Sequence, residues 1–529
     1  MPISSQLDRN EKFLLGLILI LSLPALFYNL GLQSFNEDEA IRSLVAFEML
    51  DSGNFIVPTL NGLPYYYKPP LYNWFIALSF TVTGVVNEFT ARLPTVIFLY
   101  LMCYVLYRCN RLYLNHKQSI LLSLFFLTCG RILFWDSFMA FIDIAYSLVS
   151  YLVIFLSFHY YQKKKYNLFF IVPAVLTAVG YLMKGFPSFI FYGMSIGTVL
   201  LFKKDLRRIY KSLAPLAGLL IMCGIIGGFY MLYNQYHDFT NTLGPLMDQS
   251  TRRTIVRYDI LSVIKHFFTY PFENIYHFFP YTLLGFLMVV PKIRKKVWAH
   301  EFSKYMLLLF IANIAVYWIS PEVFPRYIIM LIPLSFAVIL FMYFEAEDVP
   351  LKKYLDWFLK IIPLIPIIGI VLGFNHDELR MGEFGRAPLI VFAVLFLLIF
   401  VGSIVYDRYL LWLVVLTLLL TRIAFNIYVL PARTVKDEGT KAKKEILRIK
   451  EQYTDRPIRL YKKSIMDKSS SFYLATANGV PNEITEEISS DFYYIVDTLR
   501  VDIPNNLLKI DSFYLREFDR TAYLMITPD

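Results

Sequence analysis

The sequence contains few charged residues and little cysteine. Only 17% of its 529 residues are Asp, Glu, Lys or Arg. The four cysteines lie in or beside apolar segments, with no CxxC pair, which indicates neither a zinc site nor a disulfide framework. Hydrophobic residues make up 57% of the chain and aromatic residues 17%, whereas a soluble domain has roughly 45–50% apolar residues. The composition therefore predicts a polytopic α-helical membrane protein.

Clusters of Lys and Arg separate the apolar segments. Basic residues accumulate in the short cytoplasmic loops of membrane proteins, and between successive clusters the apolar stretch is long enough for two spans of about 20 residues. The net charge of +10 is then explained by topology and does not indicate nucleic-acid binding. The clusters are Arg108/Arg111/Lys117, 163–165, 203–211, 292–296 and Lys352/Lys353.

This pattern predicts about thirteen spans, with the N-terminus inside and the C-terminus outside. Residues 71–86 are also apolar enough to span, but a span there would place Arg108 outside. We therefore expect a helix that lies at the outer membrane interface. The predicted spans are 12–30, 89–107, 118–134, 140–161, 167–183, 186–202, 213–232, 277–291, 305–319, 327–344, 355–374, 388–405 and 409–430.

The composition changes after Leu430. A charged helical pattern covers Lys441 to Tyr453, and three short β-prone runs follow at 458–461, 492–496 and 522–526. We expect two domains: a transmembrane part, 1–430, with a first external loop at 31–88, and a small extracytoplasmic α/β domain, 431–529. The second domain carries no motif with evident chemistry.

The first external loop combines acids with a lysine. Apolar residues recur at helical spacing in 36–50, and this helix would begin with Glu37, Asp38 and Glu39. Acids in a first turn favour the helix dipole, which by itself would explain them. The same loop, however, carries Lys68 among several tyrosines. A carboxylate that accepts a proton from an attacking hydroxyl or amine, and a cation that stabilises a departing phosphate, would suit displacement of a lipid phosphate from a sugar.

The stretch DEAIRSLVAFEMLDSGNFIVPTLNGLPYYYKPPL, residues 38–71, resembles the signature of the bacterial aminoarabinose transferases and their protein O-mannosyltransferase relatives in the GT-C superfamily. The likeness includes the Asp-Glu pair, Glu-Met-Leu, Ser-Gly, Asn-Gly and Lys-Pro-Pro-Leu. It continues more weakly at 88–94, at Met183-Lys184-Gly185 and at Pro325-Arg326-Tyr327. The resemblance implies a GT-C membrane enzyme that moves a sugar, with inversion, from a polyprenyl-phosphate donor to a lipid A, protein or glycan acceptor. It also implies that this occurs on the outer face of the bacterial inner membrane.

The resemblance also implies residue roles. Asp38 would be the principal catalytic carboxylate with Glu39 beside it, and Lys68 would bind the donor phosphate. For the second acid of the family we favour Asp136 over Asp143, which on one continuous helix would share a face with it within about 10 Å.

Two departures from the family pattern concern substrate contacts. Ile41 stands where relatives have an arginine, with Arg42 one place later, and Tyr67 replaces an acid before Lys-Pro-Pro. The identity of the substrate is therefore not carried over from the family.

Further charged and aromatic residues near the outer boundary are candidates for the site. Lys184, Arg326 and Tyr327 would bind the donor phosphate, although Lys184 could instead reach the lipid head groups and Arg326 could merely flank the membrane. The substrate-pocket candidates are Arg42, Tyr65, Tyr67, Arg131, Asp143, Tyr276 and His277. Arg131, Asp136 and Asp143 could also form a structural ion pair.

Two alternatives accompany this hypothesis. A divalent cation, Mg²⁺ or Mn²⁺, could be held by Asp38, Glu39 and Asp136. The protein could also be a flippase or transporter of lipid-linked sugar, for which we would expect internal repeats and charges at mid-membrane. The sequence shows no such repeat.

Overall fold

The fold is mostly helical, with a small sheet near the C-terminus. The computed structural model describes residues 6–251, 259–373, 385, 387–503 and 506–528. The helices that precede the sheet region are α1 (Arg9–Phe27), α2 (Glu37–Ser52), α3 (Leu71–Thr83), α4 (Glu88–Asn110), α5 (His116–Thr128), α6 (Gly130–Phe134), α7 (Asp143–Gln162), α8 (Tyr166–Lys184), α9 (Pro187–Phe202), α10 (Ala214–Tyr233), α11 (Thr240–Thr251), α12 (Ile260–His277), α13 (Pro291–Ala299), α14 (Glu301–Trp318), α15 (Ile332–Glu345), α16 (Pro350–Ile361), α17 (Leu364–Gly373), α18 (Ala387–Val405), α19 (Leu410–Ala424) and α20 (Leu430–Lys436).

Among the described residues, eight helical segments are long and apolar enough to cross a membrane. A ninth is counted if α5 and the following segment, Gly130–Phe138, which meet at a bend of 43°, form one broken span. These segments confirm a multi-pass membrane protein. The eight are Arg9–Phe27, Glu88–Asn110, Asp143–Gln162, Tyr166–Lys184, Ala214–Tyr233, Pro350–Gly373, Ala387–Val405 and Asp407–Lys436.

The other predicted spans have different forms. Residues 186–202 correspond to the 16-residue α9, 305–319 to α14, and 327–344 mainly to the 14-residue α15. Residues 277–291 differ from the prediction, because this segment contains a 3₁₀ helix, Tyr281–Val289, and no long α-helix. Pro280 lacks an N–H group and cannot continue α12, which ends at His277.

The segment between α1 and α4, which we call the α1–α4 loop and which was predicted to be external, folds as a helix, a hairpin and a second helix. The expected helix at 36–50 is confirmed as α2, and the expected helix at 71–86 is α3. The location of α3 at the membrane interface stays a prediction. Two short strands, β1 (Thr59–Leu60) and β2 (Leu63–Pro64), pair between them. The buried Asn73 side chain on α3 donates to the Arg42 carbonyl of α2 at 2.9 Å, which fixes the two helices to each other.

The region after α20 contains a five-stranded mixed sheet. The predicted charged helix is α21 (Glu438–Gln452), and the three β-prone runs become β3 (Ile458–Tyr461), β5 (Tyr493–Val496) and β7 (Arg520–Ile526). The elements that were not predicted are α22 (Lys468–Asn478), β4 (Ile484–Thr485) and β6 (Leu508–Leu515). The strand order is β4-β3-β5-β7-β6, with β3 parallel to β4 and β5, and β7 antiparallel to β5 and β6.

This sheet region packs directly on the α1–α4 loop. The Tyr473 hydroxyl of α22 donates to Glu88 Oε1 at 2.9 Å and accepts a hydrogen bond from the Phe35 backbone N–H at 2.8 Å. Lys443 also forms an ion pair with Glu88 at 2.5 Å. The contacts tie the small α/β region to the start of α2 and α4. The domain boundary at residue 430 stays a prediction.

Candidate active site

Helix α2 begins so that two adjacent acids face different surroundings. Asn36 caps the helix: its side chain accepts from the Glu39 N–H at 3.2 Å, and the Glu39 carboxylate accepts from the Asn36 N–H at 3.3 Å. Successive helical residues are rotated by about 100°. The Asp38 side chain is 43% exposed, whereas that of Glu39 is completely buried. Only Asp38 is therefore available to a substrate.

Glu39 forms a buried ion pair with Arg92 of α4. Arg92 Nε and Nη2 donate to the two Glu39 oxygens at 2.8 and 3.1 Å, and the Ala140 N–H donates to Glu39 at 2.7 Å. Arg92 also donates to the backbone carbonyls of Leu30 and Gln33. The carboxylate of Glu39 thus joins α2, α4 and the segment before α7, an arrangement that favours a structural role over the predicted catalytic one.

Glu48 holds the hairpin that precedes Lys68. Asn61 and Gly62 form the two-residue turn between β1 and β2, and both have positive φ, as a type I′ turn requires. Their backbone N–H groups donate to the two oxygens of the buried Glu48 at 2.6 and 3.3 Å. The Glu-Met-Leu and Asn-Gly elements of the sequence therefore position the chain that leads to Lys68.

Ion pairs bring residues from four parts of the chain together. Arg326 Nη2 donates to Asp38 Oδ2 at 2.6 Å, and Arg326 Nε lies 3.9 Å from Asp143 Oδ2. Lys184, at the end of α8, donates to Asp143 Oδ1 at 2.5 Å. Arg326 thus bridges the α1–α4 loop and the start of α7. The predicted phosphate ligands Lys184 and Arg326 do lie in one cluster.

Lys68 and Arg42 complete this group, which we call the cation cluster: Asp38, Arg42, Lys68, Asp143, Lys184 and Arg326. Burial, together with the Arg42 guanidinium, lowers the pKa of the Lys68 ammonium to about 7, although Asp38 opposes the shift. Burial raises the pKa of Asp38, but Lys68, Arg326 and Arg42 outweigh it, so the pKa lies below its usual value. Four cationic side chains face two carboxylates. The cluster is therefore suited to bind an anion such as a phosphate.

Aromatic rings line the cations. Lys184 Nζ lies 4.9 Å from the Tyr146 ring centre and 4.7 Å from that of Tyr327, and Arg326 lies 4.5 Å from that of Phe141. Rings in these positions attract cations and keep water away from them. Tyr327 was predicted for the site from the sequence. Phe141 and Tyr146 were missed, because only their approach to the cations in the folded chain distinguishes them from packing residues.

Asp136, the acid favoured from the sequence, pairs with Arg131. Its oxygens accept from Arg131 Nε and Nη2 at 2.8 and 3.2 Å, and its side chain is fully buried. Asp143 is instead the acid that contacts Lys184 and Arg326, the predicted phosphate ligands. The two acids do not share a helix, because α6 ends at Phe134 and α7 begins at Asp143. Arg131 and Asp136 instead match the structural ion pair that the sequence left open.

The remaining pocket candidates divide into two groups. Tyr65 lies beside Arg42, whose guanidinium is 5.8 Å from its ring centre, and Tyr67 packs against Tyr65 with ring centres 5.7 Å apart. Tyr276 is 76% exposed, and neither it nor the half-buried His277 has a contact with the cation cluster in the described part of the chain.

A tyrosine and a histidine that the sequence analysis missed lie beside this loop. The Tyr66 hydroxyl and His237 Nε2 are 2.6 Å apart, and their rings stack. The two residues are 171 positions apart in the sequence, so no local pattern could predict the contact.

The three carboxylates proposed as metal ligands do not converge. Asp38 contacts Arg326, Glu39 contacts Arg92, and Asp136 contacts Arg131. Within the described ranges, no group of three His, Cys, Asp or Glu side chains is arranged to hold a metal ion. The residues present therefore do not fit the predicted site for a shared divalent cation.

The described helices and the sheet define a polytopic membrane protein with a small α/β region near its C-terminus. Two solved structures of ArnT from Cupriavidus metallidurans, one bound to undecaprenyl phosphate and one in the apo state, share the fold, each with a TM-score of 0.68. They are 15% and 17% identical in sequence, and the alignments cover 97% and 98% of this chain and 99% of each ArnT chain.

Sequence comparisons agree with the predicted resemblance. Residues 67–227 match the family described as dolichyl-phosphate-mannose-protein mannosyltransferase. A protein of Aquifex aeolicus with no assigned function is 26% identical over 54% of this chain and 55% of its own length. The undecaprenyl phosphate-alpha-4-amino-4-deoxy-L-arabinose arabinosyl transferase of Shewanella sediminis is 30% identical over 22% of this chain and 23% of its own length. The matched part thus spans about half or less of these relatives.

Proposed function

We propose that the protein is a glycosyltransferase that moves a sugar from a polyprenyl-phosphate donor to an acceptor, with inversion at the anomeric carbon. The observation that carries this proposal is the excess of cations around the partly exposed Asp38. Positive charge at this position would bind the donor phosphate and stabilise it as it leaves. The similarity to ArnT, one structure of which is bound to undecaprenyl phosphate, supports the choice of donor.

The cation cluster suggests how the proposed transfer would proceed. Asp38 would accept the proton of the acceptor hydroxyl or amine, whose lone pair forms the new bond to the anomeric carbon. The bond from that carbon to the phosphate oxygen breaks on the opposite face, and the electron pair remains on the phosphate. Lys68, Lys184 and Arg326 would hold the resulting polyprenyl phosphate, while Asp143 keeps Lys184 and Arg326 in position.

The reaction is proposed to take place on the outer face of the bacterial inner membrane, with the N-terminus in the cytoplasm and the α/β region outside. The distribution of basic loops supports this orientation. The acceptor is proposed to belong to one of three classes: lipid A, a protein, or another glycan. If a divalent cation takes part, Asp38 is the only one of the three proposed carboxylates with an exposed side chain, so loss of turnover in a chelator and its recovery on addition of Mg²⁺ or Mn²⁺ would test that role.

Single-turnover release of polyprenyl phosphate tests the proposed function. Purified protein is incubated with radiolabelled lipid-linked sugars and a membrane extract as acceptor, and the free carrier is measured. We expect release together with labelled acceptor. Binding of the donor with no release under any acceptor condition would contradict the transferase and favour a transporter.

The affinity for the donor should depend on pH through Lys68. The pKa of Lys68 is about 7 in the absence of a ligand. Above this pH the Lys68 amine must take up a proton when an anion binds, whereas below it the amine is already protonated. We expect the affinity to be constant below pH 7 and to fall up to about tenfold per pH unit above it. A lipid-linked sugar phosphate is a diester, so its own charge does not change in this range.

Lys68→Arg tests this assignment, because arginine stays protonated. We expect this variant to bind the donor with little pH dependence between about pH 6 and 9. Lys163→Arg, in an exposed loop, serves as the control and should keep the wild-type profile. An unchanged profile in Lys68→Arg would show that another group causes the dependence.

A further inference from the structure

The ion pair between Asp38 and Arg326 joins an exposed side chain to an enclosed one. The Asp38 side chain is 43% exposed, whereas that of Arg326 is 15% exposed. The Arg326 guanidinium lies 4.5, 5.0 and 5.7 Å from the ring centres of Phe141, Phe324 and Tyr327. Because these rings surround the guanidinium, Asp38 is the partner that has space to move away from the pair.

The Arg326 guanidinium has more hydrogen-bond donors than Asp38 occupies. A guanidinium carries five N–H groups. Among the described residues, Arg326 donates one hydrogen bond, from Nη2 to Asp38 Oδ2 at 2.6 Å. A phosphate presents several acceptor oxygens and matches a guanidinium bidentately. A phosphate at this position would therefore form more hydrogen bonds to Arg326 than the single Asp38 oxygen does.

The bond to Arg326 opposes the role that we propose for Asp38. A general base must bind a proton, and a cation bonded to a carboxylate stabilises the charged form instead. Burial raises the pKa of Asp38, but Lys68, Arg326 and Arg42 outweigh it and hold the pKa below its usual value. The ion pair thus keeps the carboxylate at the site and also weakens it as a base. The other charged groups of the cation cluster are Lys184 and Asp143.

We propose that Arg326 is a positioning residue that exchanges the Asp38 carboxylate for the phosphate of the donor. This inference rests on the proposed sugar transfer. The phosphate diester takes the place of Asp38 at the Nη hydrogens of Arg326, and since one singly charged anion replaces another, the charge around the guanidinium is unchanged. The displaced Asp38 carboxylate then accepts the proton of the acceptor. The donor therefore binds before Asp38 becomes an effective base.

The same exchange restores the base after the transfer. The reaction leaves the proton on Asp38 and the polyprenyl phosphate on the cations. When the polyprenyl phosphate departs, Arg326 bonds to Asp38 again and stabilises its charged form, so that the proton passes to water. One arginine thus links the state of the base to the presence of the phosphate.

Carbodiimide labelling of Asp38 tests the exchange without an acceptor. A carbodiimide reacts with a protonated carboxyl group, so at pH 6 the labelling rate rises about tenfold for each unit by which the pKa rises. The purified full-length protein in detergent is labelled with and without saturating short-chain polyprenyl phosphate, and each labelled carboxyl is quantified by peptide mass spectrometry. We expect the phosphate to accelerate labelling of Asp38 at least tenfold. The exposed Glu37, one residue earlier in α2, is the internal control and should keep its rate.

Arg326→Gln separates the exchange from simple charge repulsion, because any bound phosphate raises the pKa of a nearby carboxyl group. In this variant Asp38 has lost its guanidinium partner. We expect labelling without phosphate to be about tenfold faster than in the wild type, since an adjacent arginine lowers the pKa of an aspartate by roughly one to three units. Phosphate should then accelerate labelling at least threefold less than it does in the wild type.

Two further variants complete the experiment. Arg326→Lys keeps the positive charge, and we expect slow labelling that phosphate accelerates as in the wild type. Arg111→Gln, at the exposed end of α4, is the matched control and should behave as the wild type does. Unchanged or slower labelling of wild-type Asp38 with phosphate bound, or an equal response in the wild type and Arg326→Gln, would overturn the proposal. Failure to bind the phosphate at all would instead contradict the proposed function, and this inference with it.

Discussion

Replacing Asp38 by asparagine is expected to slow the release of polyprenyl phosphate by a factor of about 10²–10⁴, the usual contribution of a positioned general base. Asparagine has nearly the same shape and can still contact Arg326, but it cannot accept the proton of the acceptor. The loss should appear in the single-turnover rate. Affinity for the donor should be equal to or higher than in the wild type, because a negative charge is removed from the cation cluster.

Glu37→Gln is the matched control for this experiment. Glu37 precedes Asp38 in the first turn of α2 and is exposed, so the substitution removes the same charge from the same helix end without touching the cation cluster. We expect near wild-type turnover. A similar loss in both variants would mean that turnover depends on negative charge at the N-terminus of α2 and not on the Asp38 carboxylate itself. Wild-type turnover in Asp38→Asn would exclude Asp38 as the base.

Replacing Arg92 by methionine is expected to destabilise the fold by about 3–5 kcal/mol, the typical cost of breaking a buried ion pair from one side. The substitution leaves the fully buried Glu39 carboxylate without its partner and removes the donors to the Leu30 and Gln33 carbonyls. The change should be measured as a lower thermal-unfolding midpoint in detergent and as a lower yield of folded protein.

Arg111→Met is the control, since Arg111 is exposed at the end of α4 and should give a midpoint close to that of wild type. The experiment also separates two roles of Glu39. Glu39→Gln should lower stability in parallel with Arg92→Met. If Glu39→Gln kept wild-type stability and lost only turnover, the catalytic prediction for Glu39 would be supported and the structural role contradicted.

The structure gives a physical reason for those parts of the sequence signature to which no catalytic role is assigned. Glu48 accepts from the turn N–H groups of Asn61 and Gly62, so these separated elements act as one support for the loop that carries Lys68. Arg92, in the weaker match at 88–94, secures the start of α2 through Glu39. These residues would fix the distance between Asp38, the proposed catalytic carboxylate, and Lys68, the proposed phosphate ligand.

The sequence by itself determined the class of the protein, because long apolar segments and basic loops are sufficient to indicate a polytopic membrane protein. Local periodicity also predicted α2, and the short β-prone runs predicted three of the sheet strands. These features depend on neighbouring residues, which the sequence displays directly. The resemblance to a known family identified Asp38 and Lys68 as candidates.

Only the tertiary structure decided which charged groups meet. The partners Asp38 and Arg326 are 288 residues apart, and no local pattern distinguishes Asp143 from Asp136 as the acid that faces them. The choice depends on helix breaks and on which side chain can pair with a nearer cation, as Asp136 does with Arg131. The same reason applies to Glu39: its neighbour Asp38 faces the site, while packing against α4 buries Glu39 on Arg92.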